Sequence, residues 1–273
     1  MSDRLRPGKA VILARGLGSR MRKQSEDASL TSEQQAAADS GVKAMISFGR
    51  PFLDYVISGL ADAGYDEVCL VIGPEHDMIR EYYDEVPKSR VKISYAIQEE
   101  PLGTANAVLA AEEFAGEDAV VVLNSDNYYP IEAYRALHEL EGSGLIGFDP
   151  EALIAQSNIP GDRVNAFAFA VADEDGIMTE IVEKPDAATI ERLGEDAMVS
   201  MNLWRFTPAI FEAAKKVELS PRGEYELQDA VRLAIEGGDP FTIVPLAAGV
   251  LDMSNRDDIQ SVAEAMEKLD VKL

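Results

Sequence analysis

The feature that most constrains this chain is the alternation, in its first half, of short apolar runs with longer segments of helical period. The apolar runs have the length of strands, are rich in Val, Ile and Leu, and lie at residues 10–13, 67–73, 91–98 and 119–126. After the first run, Phe52, Val56 and Leu60 recur at the spacing of one helix face. Because strands of this kind are buried on both faces, the pattern predicts an α/β fold with a mainly parallel sheet flanked by helices.

The first apolar run leads into a positively charged loop that contains two glycines, "VILARGLGSRMRK". Gly16 and Gly18 allow backbone N–H groups to converge on a phosphate, and Arg20 with the later Lys43 adds positive charge that suits a triphosphate. The loop lacks the third glycine of a dinucleotide-binding fingerprint, and it lacks the Gly-Lys-Ser/Thr ending of a Walker loop. Without the cations, a Gly-x-Gly pattern is equally compatible with a tight turn between a strand and a helix.

Two more polar residues follow predicted strands. Gln98 ends the run "VKISYAIQ" and Asp126 ends "AVVVLNSD". Ligands of parallel α/β sheets bind at the carboxyl ends of the strands, so we expect both side chains to lie near the glycine loop. The helical segment "TANAVLAAEEF" after Gln98 is expected to begin with a cap from Thr104.

The charge balance excludes whole classes of partner. The chain has 49 acidic and 25 basic side chains, a net charge of −24, which argues against a nucleic-acid or anionic-membrane surface. Within residues 1–50, however, nine basic side chains exceed five acidic ones. No run of 18 apolar residues and no secretion signal is present, so we expect a cytoplasmic protein. The single cysteine, Cys69, lies in an apolar run and is expected to be a buried reduced thiol.

The second half changes character. The stretch "VNAFAFAVADEDGIMTEIVEKP" predicts two strands joined by an Asp-Gly turn, and "MVSMNLWRF" predicts another strand before a helix that begins near Pro208. No linker divides the chain, so we expect one domain over residues 1–273 with two functional halves, at about 8–130 and about 131–262. Residues 23–41 are polar, with a short helix after Thr31, and form a candidate mobile loop.

Seven segments in order resemble the sugar-1-phosphate nucleotidyltransferases, or nucleoside-diphosphate-sugar pyrophosphorylases, over residues 8–262. They are "LARGLGSRM", "VKAM", "QEEPLGTANAV", "NSDN", "IVEKP", "GEYELQDAV" and "GVLDMSNRDDI". The resemblance implies a Rossmann-like nucleotide-diphospho-sugar transferase fold, in which residues of about 8–130 form a nucleotide-binding half and residues of about 131–262 form a sugar-phosphate-binding half. It also implies a reaction in which an NTP and a sugar 1-phosphate give an NDP-sugar and pyrophosphate, with self-association as a homo-oligomer left open.

The resemblance further implies roles for single residues. Arg20, Lys43 and Asp126 would be catalytic, with Arg20 on the leaving phosphates and Lys43 between the α-phosphate and the incoming phosphate. Asp126 and Asp252 would hold Mg²⁺. The residues implied for nucleotide binding are Leu13, Gly16, Leu17, Gly18, Ser19, Gln98, Leu102, Gly103 and Thr104, with Gln98 reading a pyrimidine edge, which favours UTP or dTTP. The residues implied for the sugar phosphate, favoured as glucose 1-phosphate, are Ala168, Glu183, Lys184, Ser200 and Asn202.

Simpler interpretations stand beside these roles. Lys43 could be a solvated lysine, Asp126 a helix N-cap, Asp252 a turn residue, and Glu183 with Lys184 an exposed pair. Arg15 departs from the family pattern at a position where a small residue is usual. Ala168, at what resembles a sugar-site glycine position, and Ser200 leave the acceptor open to a non-hexose phosphate, although the intact "VEKP" weighs against it. A non-catalytic module that binds nucleotide-sugar is a further alternative, and a dinucleotide-dependent oxidoreductase is disfavoured by the missing glycine.

The acidic surface also leads to a prediction about salt. With only ten lysines and a net charge of −24, self-repulsion at low ionic strength is screened by added salt, as in proteins of a high-salt cytoplasm. We expect the melting temperature to rise between low and molar KCl, measured by circular dichroism. A stability optimum at low salt would contradict the prediction.

Overall fold

The computed structural model describes residues 8–16, 18–23 and 30–273, so Leu17 and residues 24–29 of the predicted mobile loop lie outside the described residues. The strands are β1 Gly8–Leu13, β2 Tyr65–Ile72, β3 Lys92–Ile97, β4 Val120–Asn124, β5 Asn127–Tyr128, β6 Ser143–Phe148, β7 Ala168–Ala172, β8 Met178–Glu183, β9 Met198–Phe206, β10 Phe241–Leu246 and β11 Leu251–Asp252. The helices are α1 Ser32–Ser40, α2 Phe52–Asp62, α3 Asp77–Glu85, α4 Thr104–Leu109, α5 Glu112–Ala115, α6 Ile131–Glu139, α7 Pro150–Gln156, α8 Gly161–Val164, α9 Ala187–Leu193, α10 Ala209–Ala214, α11 Leu227–Glu236 and α12 Asp258–Met266. Among the described residues, no helix is long and apolar enough to cross a membrane.

The main sheet is mixed and mostly parallel, as the alternation of elements predicted. Its strand order is β10-β6-β9-β4-β1-β2-β3, with β7 and β8 attached beside β9. Strands β4, β1, β2 and β3 are mutually parallel, and β6 and β10 are parallel to each other. Strand β9 runs antiparallel between β4 and β6. The second half therefore extends the same sheet as the first.

Both faces of the sheet are covered. In β1, Val11 belongs to one buried apolar cluster, whereas Ala10 and Ile12 belong to the cluster on the other face. Helices α2, α6 and α12 cover the face of Ala10 and Ile12. Helices α4, α10 and α11 cover the face of Val11. This two-sided burial confirms the interpretation of the apolar runs as strands of a covered sheet.

Local signals in the second half and in the polar loop are confirmed. Strands β7 and β8 form the predicted antiparallel pair, and Gly176 in the turn between them has a left-handed backbone with φ of 80°. Helix α10 begins directly after Pro208. Thr31 caps α1 by accepting from the backbone N–H of Gln34 at 3.2 Å. Whether residues 23–41 move on ligand binding stays a prediction.

The predicted cap at Thr104 is wrong. Gly103 occupies the N-cap position of α4, and no side-chain hydrogen bond caps this helix. The segment "TANAVLAAEEF" forms two helices, α4 and α5, instead of one. The Thr104 hydroxyl instead accepts from the backbone N–H of Leu227, the first residue of α11, at 3.0 Å. A helix start from the other half of the chain competes for this hydroxyl, because the first N–H groups of any helix lack partners within it.

The environment of Cys69 confirms a buried reduced thiol. The residue is 1% exposed in the middle of the sheet, and its burial raises the pKa of the thiol to about 12. Because the thiolate is the reactive form, we expect the native chain to resist a disulfide reagent such as DTNB. In guanidinium chloride the same reagent should titrate one thiol per chain. Rapid labelling of the native chain would contradict this burial.

Thr104 yields a stability prediction. Thr104→Val keeps the shape of the side chain and removes the oxygen that accepts from Leu227, so the free energy of unfolding should fall by about 0.5–2 kcal/mol. Denaturant unfolding measures this. The control is Thr179→Val in β8, whose exposed hydroxyl caps no helix and donates to the carbonyl of Val171 at 3.2 Å. An equal loss in both variants would contradict a capping role.

Candidate active site

A cavity of about 350 Å³ lies at the carboxyl ends of the central strands, where the parallel sheet predicts a ligand. Ten of the residues predicted from the sequence line it, namely Leu13, Gly16, Gly18, Ser19, Arg20, Lys43, Gln98, Gly103, Thr104 and Asp126. They come from the loop after β1, the turn at residues 43–45, the segment after β3 and the residue pair after β4. The fold therefore gathers residues that lie more than a hundred positions apart.

The two described glycines of the loop differ in their reasons for being glycine. A Cβ at Gly18, whose φ is 58°, would lie 2.1 Å from the backbone oxygen of Gly41, so packing and conformation both exclude a side chain. A Cβ at Gly16 would meet nothing within 4 Å. Gly16 therefore leaves open space at the cavity, which suits close approach of a ligand. Arg20 is exposed beside it and has no ion-pair partner within residues 8–16, 18–23 and 30–273.

Lys43 and Asp126 form an ion pair in the cavity, with 2.8 Å between Nζ and Oδ2. Their side chains are 14% and 23% exposed, so Lys43 is not a solvated surface lysine. Asp126 does not cap the following helix, since Pro130 stands at the start of α6. Each of the simpler interpretations of these two residues is thus excluded by geometry.

Asp252 lies next to Asp126 through the short ladder of β5 and β11. Asp252 pairs with Asn127, and the backbone N–H of Met253 donates to the carbonyl of Asp126 at 2.9 Å. The Asp252 carboxylate is 3% exposed and accepts from Asn127 Nδ2 at 3.0 Å and from the Arg163 guanidinium. Burial, together with the charge of Asp126, raises the pKa of Asp252. The two carboxylates are close enough to influence each other and are each paired with a cation.

The oxygen ligands that a divalent cation needs are therefore present in part. Across the described residues, no cluster of three or more His, Cys, Asp or Glu side chains is placed to hold a metal ion. Two neighbouring carboxylates suit a hard cation that completes its coordination with substrate phosphates and waters.

The segment after β3 presents one amide oxygen to the cavity. The side-chain amide of Gln98 donates to the carbonyl of Gly103 at 3.1 Å and to Asn106 Oδ1 at 2.9 Å. Both N–H groups are used, and because the Gly103 carbonyl can only accept, the orientation of the amide is determined. The side-chain oxygen of Gln98 takes part in neither of these two hydrogen bonds.

Gly103 has a reason to be glycine that the sequence did not predict. Its φ is 114°, and a Cβ there would lie 2.6 Å from the backbone oxygen of Tyr225. Close packing against "GEYELQDAV" is by itself enough to require this glycine, and the approach of a base at Gly103 stays a prediction. Leu102 does not line the cavity, and its carbonyl accepts from the Tyr225 N–H at 2.8 Å.

Arg15 connects the ends of three neighbouring strands. Its guanidinium donates to the carboxylate of Glu75, with both distances 3.2 Å, and to the backbone carbonyl of Gln98. The side chain is 7% exposed and lines the cavity. A Cβ at Gly73 would collide with this ion pair, at 2.4 Å from Arg15 Nε. The Arg15 side chain thus holds the backbone at Gln98 in place through a hydrogen bond to its carbonyl.

The five predicted sugar-phosphate residues lie outside the lining of this cavity, and three of them lie in one row across the sheet. Ala168 pairs with Glu183 on one side and with Ser200 on the other, so β8, β7 and β9 place the three positions in register. Glu183 accepts from Gln228 Nε2 at 3.1 Å, and the surrounding protein raises the pKa of Glu183. Within the described residues, the buried Ser200 hydroxyl has no hydrogen-bond partner.

Two residues next to this row have a left-handed backbone. Lys184 has φ of 47° and Asn202 has φ of 57°, and no other non-glycine residue of the described ranges shares such a φ. Conformations of this kind cost on the order of 1–3 kcal/mol and tend to occur at functional sites. The Lys184 N–H donates to the carbonyl of Phe167 at 3.1 Å, and Asn202 lies where the pairing of β6 with β9 shifts register.

Sequence reasoning missed three residues around the site. Arg163 binds Asp252, Gln228 binds Glu183, and Glu224 lines the cavity. The signal for Gln228 and Glu224 was available, since both lie in the quoted "GEYELQDAV". Arg163 had no local signal, because its partner lies 89 positions away.

Comparisons with known proteins identify the family to which the chain belongs. The sequence model of the family described as Nucleotidyl transferase matches residues 9–268. The chain is 27% identical over 260 residues to the UTP--glucose-1-phosphate uridylyltransferase AglF of Haloferax volcanii, covering 95% of this chain and 96% of that protein. It is 28% identical to the glucose-1-phosphate thymidylyltransferase of Streptomyces antibioticus, covering 93% of this chain but 65% of that protein.

Solved structures share the fold. A UDP-glucose pyrophosphorylase complexed with UDP-glucose superposes with a TM-score of 0.71 at 16% identity, covering 96% of this chain and 99% of that one. A UDP-glucose pyrophosphorylase from Acinetobacter baumannii gives 0.72 at 19% identity, covering 97% of this chain and 96% of that one. The resemblance carried by the seven sequence segments is confirmed: the chain is an enzyme of the nucleotidyl transferase family, of the sugar-1-phosphate nucleotidyltransferase type.

Proposed function

We propose that the chain catalyses the Mg²⁺-dependent transfer of a nucleotidyl group from UTP or dTTP to glucose 1-phosphate, giving NDP-glucose and pyrophosphate. The observation that carries the proposal is the Lys43–Asp126 ion pair, which lies in one cavity with the glycine loop and the Gln98 segment. The names of the relatives from Haloferax volcanii and Streptomyces antibioticus support glucose 1-phosphate and a uridylyl or thymidylyl group.

The reaction needs positioning and charge rather than proton removal. An oxygen of the ionised sugar phosphate attacks the α-phosphorus of the NTP while the bond from that phosphorus to the bridging oxygen breaks, and pyrophosphate leaves with the electron pair. Alignment of the two substrates and neutralisation of negative charge then carry the catalysis. Arg20 binds the leaving β- and γ-phosphates in this proposal. Lys43 lies between the α-phosphate and the incoming phosphate.

Asp126 and Asp252 are the proposed ligands of Mg²⁺. Two adjacent carboxylates fit this ion, which commonly uses one or two carboxylates together with substrate phosphates. When bound, the ion neutralises phosphate charge and orients the reacting phosphates. Lys43 pairs with Asp126, and Arg163 pairs with Asp252, so each carboxylate already has a cationic partner.

The base and the sugar are bound by opposite ends of the site in this proposal. The Gln98 oxygen accepts from the N3–H of uracil or thymine, which cytosine lacks. Glu183 accepts from sugar hydroxyls, Lys184 pairs with the sugar phosphate, and Ser200 offers its unpartnered hydroxyl. The left-handed backbone at Lys184 supports a functional role for its side chain.

Release of pyrophosphate tests the proposal. The purified chain is mixed with Mg²⁺, UTP or dTTP and glucose 1-phosphate, with the other NTPs and other sugar 1-phosphates as competing substrates. Asp126→Asn should lower the rate by roughly 10²–10³, because it removes the charge that holds Lys43 and the metal ion. The matched control is Asp270→Asn, whose side chain is 77% exposed near the carboxyl end.

The outcomes are separable. Release that requires one nucleotide, one sugar phosphate and Asp126 supports the proposal and names both substrates. Wild-type rates in Asp126→Asn would remove this residue from the catalytic machinery. An absence of release across all combinations, with nucleotide still bound, would favour a non-hexose acceptor or a module that only binds nucleotide.

A further inference from the structure

Arg256 is a buried cation that the proposed reaction does not use. It lies between β11 and α12, and its side chain is 2% exposed. Its Nε donates to the backbone carbonyl of Met21 at 2.7 Å, and its guanidinium pairs with the carboxylate of Asp39. Burying a guanidinium is costly unless its donors are satisfied, so these two contacts determine where Arg256 lies.

Arg256 joins the glycine loop to a helix, because Met21 lies in the loop and Asp39 lies in α1. Met21 is fully buried at the end of the phosphate turn, which we define as residues 18–22. The Arg22 N–H closes this turn by donating to the Gly18 carbonyl at 2.9 Å. The Arg22 guanidinium donates to the Ser40 carbonyl at 2.9 Å. The phosphate turn therefore contacts the carboxyl end of α1. Arg256 connects the two, because it binds Met21 in the turn and Asp39 in α1.

The position of Arg20 depends on the backbone of the phosphate turn, because its exposed side chain forms no ion pair within the described residues. Arg20 lies inside the phosphate turn, one residue before Met21. The direction in which its guanidinium leaves the backbone is thus determined by the turn. The carbonyl that Arg256 binds belongs to the Met21–Arg22 peptide unit. Because a peptide unit is planar, this bond fixes the backbone at the residue that directly follows Arg20.

The segment that carries Arg256 also touches the carboxylates. Asp252 lies four residues before Arg256, and the Met253 N–H donates to the Asp126 carbonyl. One short stretch, residues 252–256, therefore contacts both the carboxylate end and the triphosphate end of the cavity.

We propose that Arg256 is a positioning residue that holds the phosphate turn so that Arg20 binds the β- and γ-phosphates of the nucleotide. This inference rests on the proposed function, since it presumes an NTP in the cavity. Arg256 touches no substrate and acts through the Met21 carbonyl. Its contribution is consequently confined to the triphosphate and disappears when Arg20 is absent.

The test is a double-mutant cycle on nucleotide binding with UTP, dTTP, UMP and dTMP as ligands, measured by calorimetry. Arg20→Gln should weaken UTP or dTTP binding by about 10- to 100-fold, the range for a lost charge-assisted hydrogen bond. Arg256→Gln should weaken it about tenfold and leave binding of the monophosphate unchanged. In the Arg20→Gln background, Arg256→Gln should have no further effect, because the two residues act as a unit.

Arg50→Gln is the matched control. Its guanidinium also joins an aspartate, Asp54 at 2.9 Å, to a backbone carbonyl, that of Val271 at 3.2 Å, and it lines no part of the cavity. It should lower the melting temperature without changing nucleotide affinity. An effect of Arg256→Gln on UMP as large as that on UTP, or losses that add in the double variant, would overturn the inference.

Two further outcomes are kept distinct. If the wild-type chain binds neither UTP nor dTTP, the proposed function fails and the inference fails with it. If Arg256→Gln does not fold, Asp39→Ala replaces it, since the Asp39 side chain is 55% exposed and its loss leaves Arg256 with an uncompensated charge. Asp39→Ala should then weaken triphosphate binding selectively, and unchanged affinity in this variant would overturn the inference.

Discussion

The two-sided burial of β1 is the constraint on which the rest of the site depends. This strand lies between β2 and β4, parallel to both, with apolar clusters on each face. Its end is held by the Ala14 N–H, which donates to the Val71 carbonyl at 2.8 Å, and by its Leu13 carbonyl, which accepts from Ser125 at 3.2 Å. Because parallel strands end at the same edge, the glycine loop, Gln98 and Asp126 must meet there.

Charge within the site is balanced pair by pair, although the chain as a whole carries −24. Lys43 faces Asp126, Arg163 faces Asp252, Arg15 faces Glu75 and Arg256 faces Asp39. Partly buried charges need such partners, since the desolvation of an unpaired ion is costly. The pairing has a second effect, because each contact also fixes the position of a side chain before substrate arrives. Arg20 has no ion-pair partner within the described residues and is left to be positioned through its backbone.

Backbone geometry defines the other end of the site. Register across β8, β7 and β9 aligns Glu183, Ala168 and Ser200, and a shift in the pairing of β6 with β9 coincides with the left-handed Asn202. The segment "GEYELQDAV" joins this row to the cavity, because Tyr225 packs against Gly103 and Gln228 donates to Glu183. The two halves of the chain therefore share one sheet and one connecting segment.

The sequence by itself determined what depends on neighbours in the chain. Apolar runs predicted the strands of the sheet and the burial of Cys69, the Asp-Gly pair predicted the turn between β7 and β8, and Thr31 predicted the start of α1. The order of the motifs predicted the family, and ten of the residues predicted from these motifs line one cavity. These signals are local periodicities and turn preferences, which a short window of sequence contains.

Only the tertiary structure decided which distant groups satisfy one another. Thr104 caps α11 instead of its own helix, and the packing of Tyr225 leaves no room for a side chain at Gly103. Arg163 binds Asp252, and Arg256 binds Met21 across 235 positions. In each case several partners are compatible with the local sequence, and the choice between them is made by which buried donor and acceptor the folded sheet brings within hydrogen-bond distance.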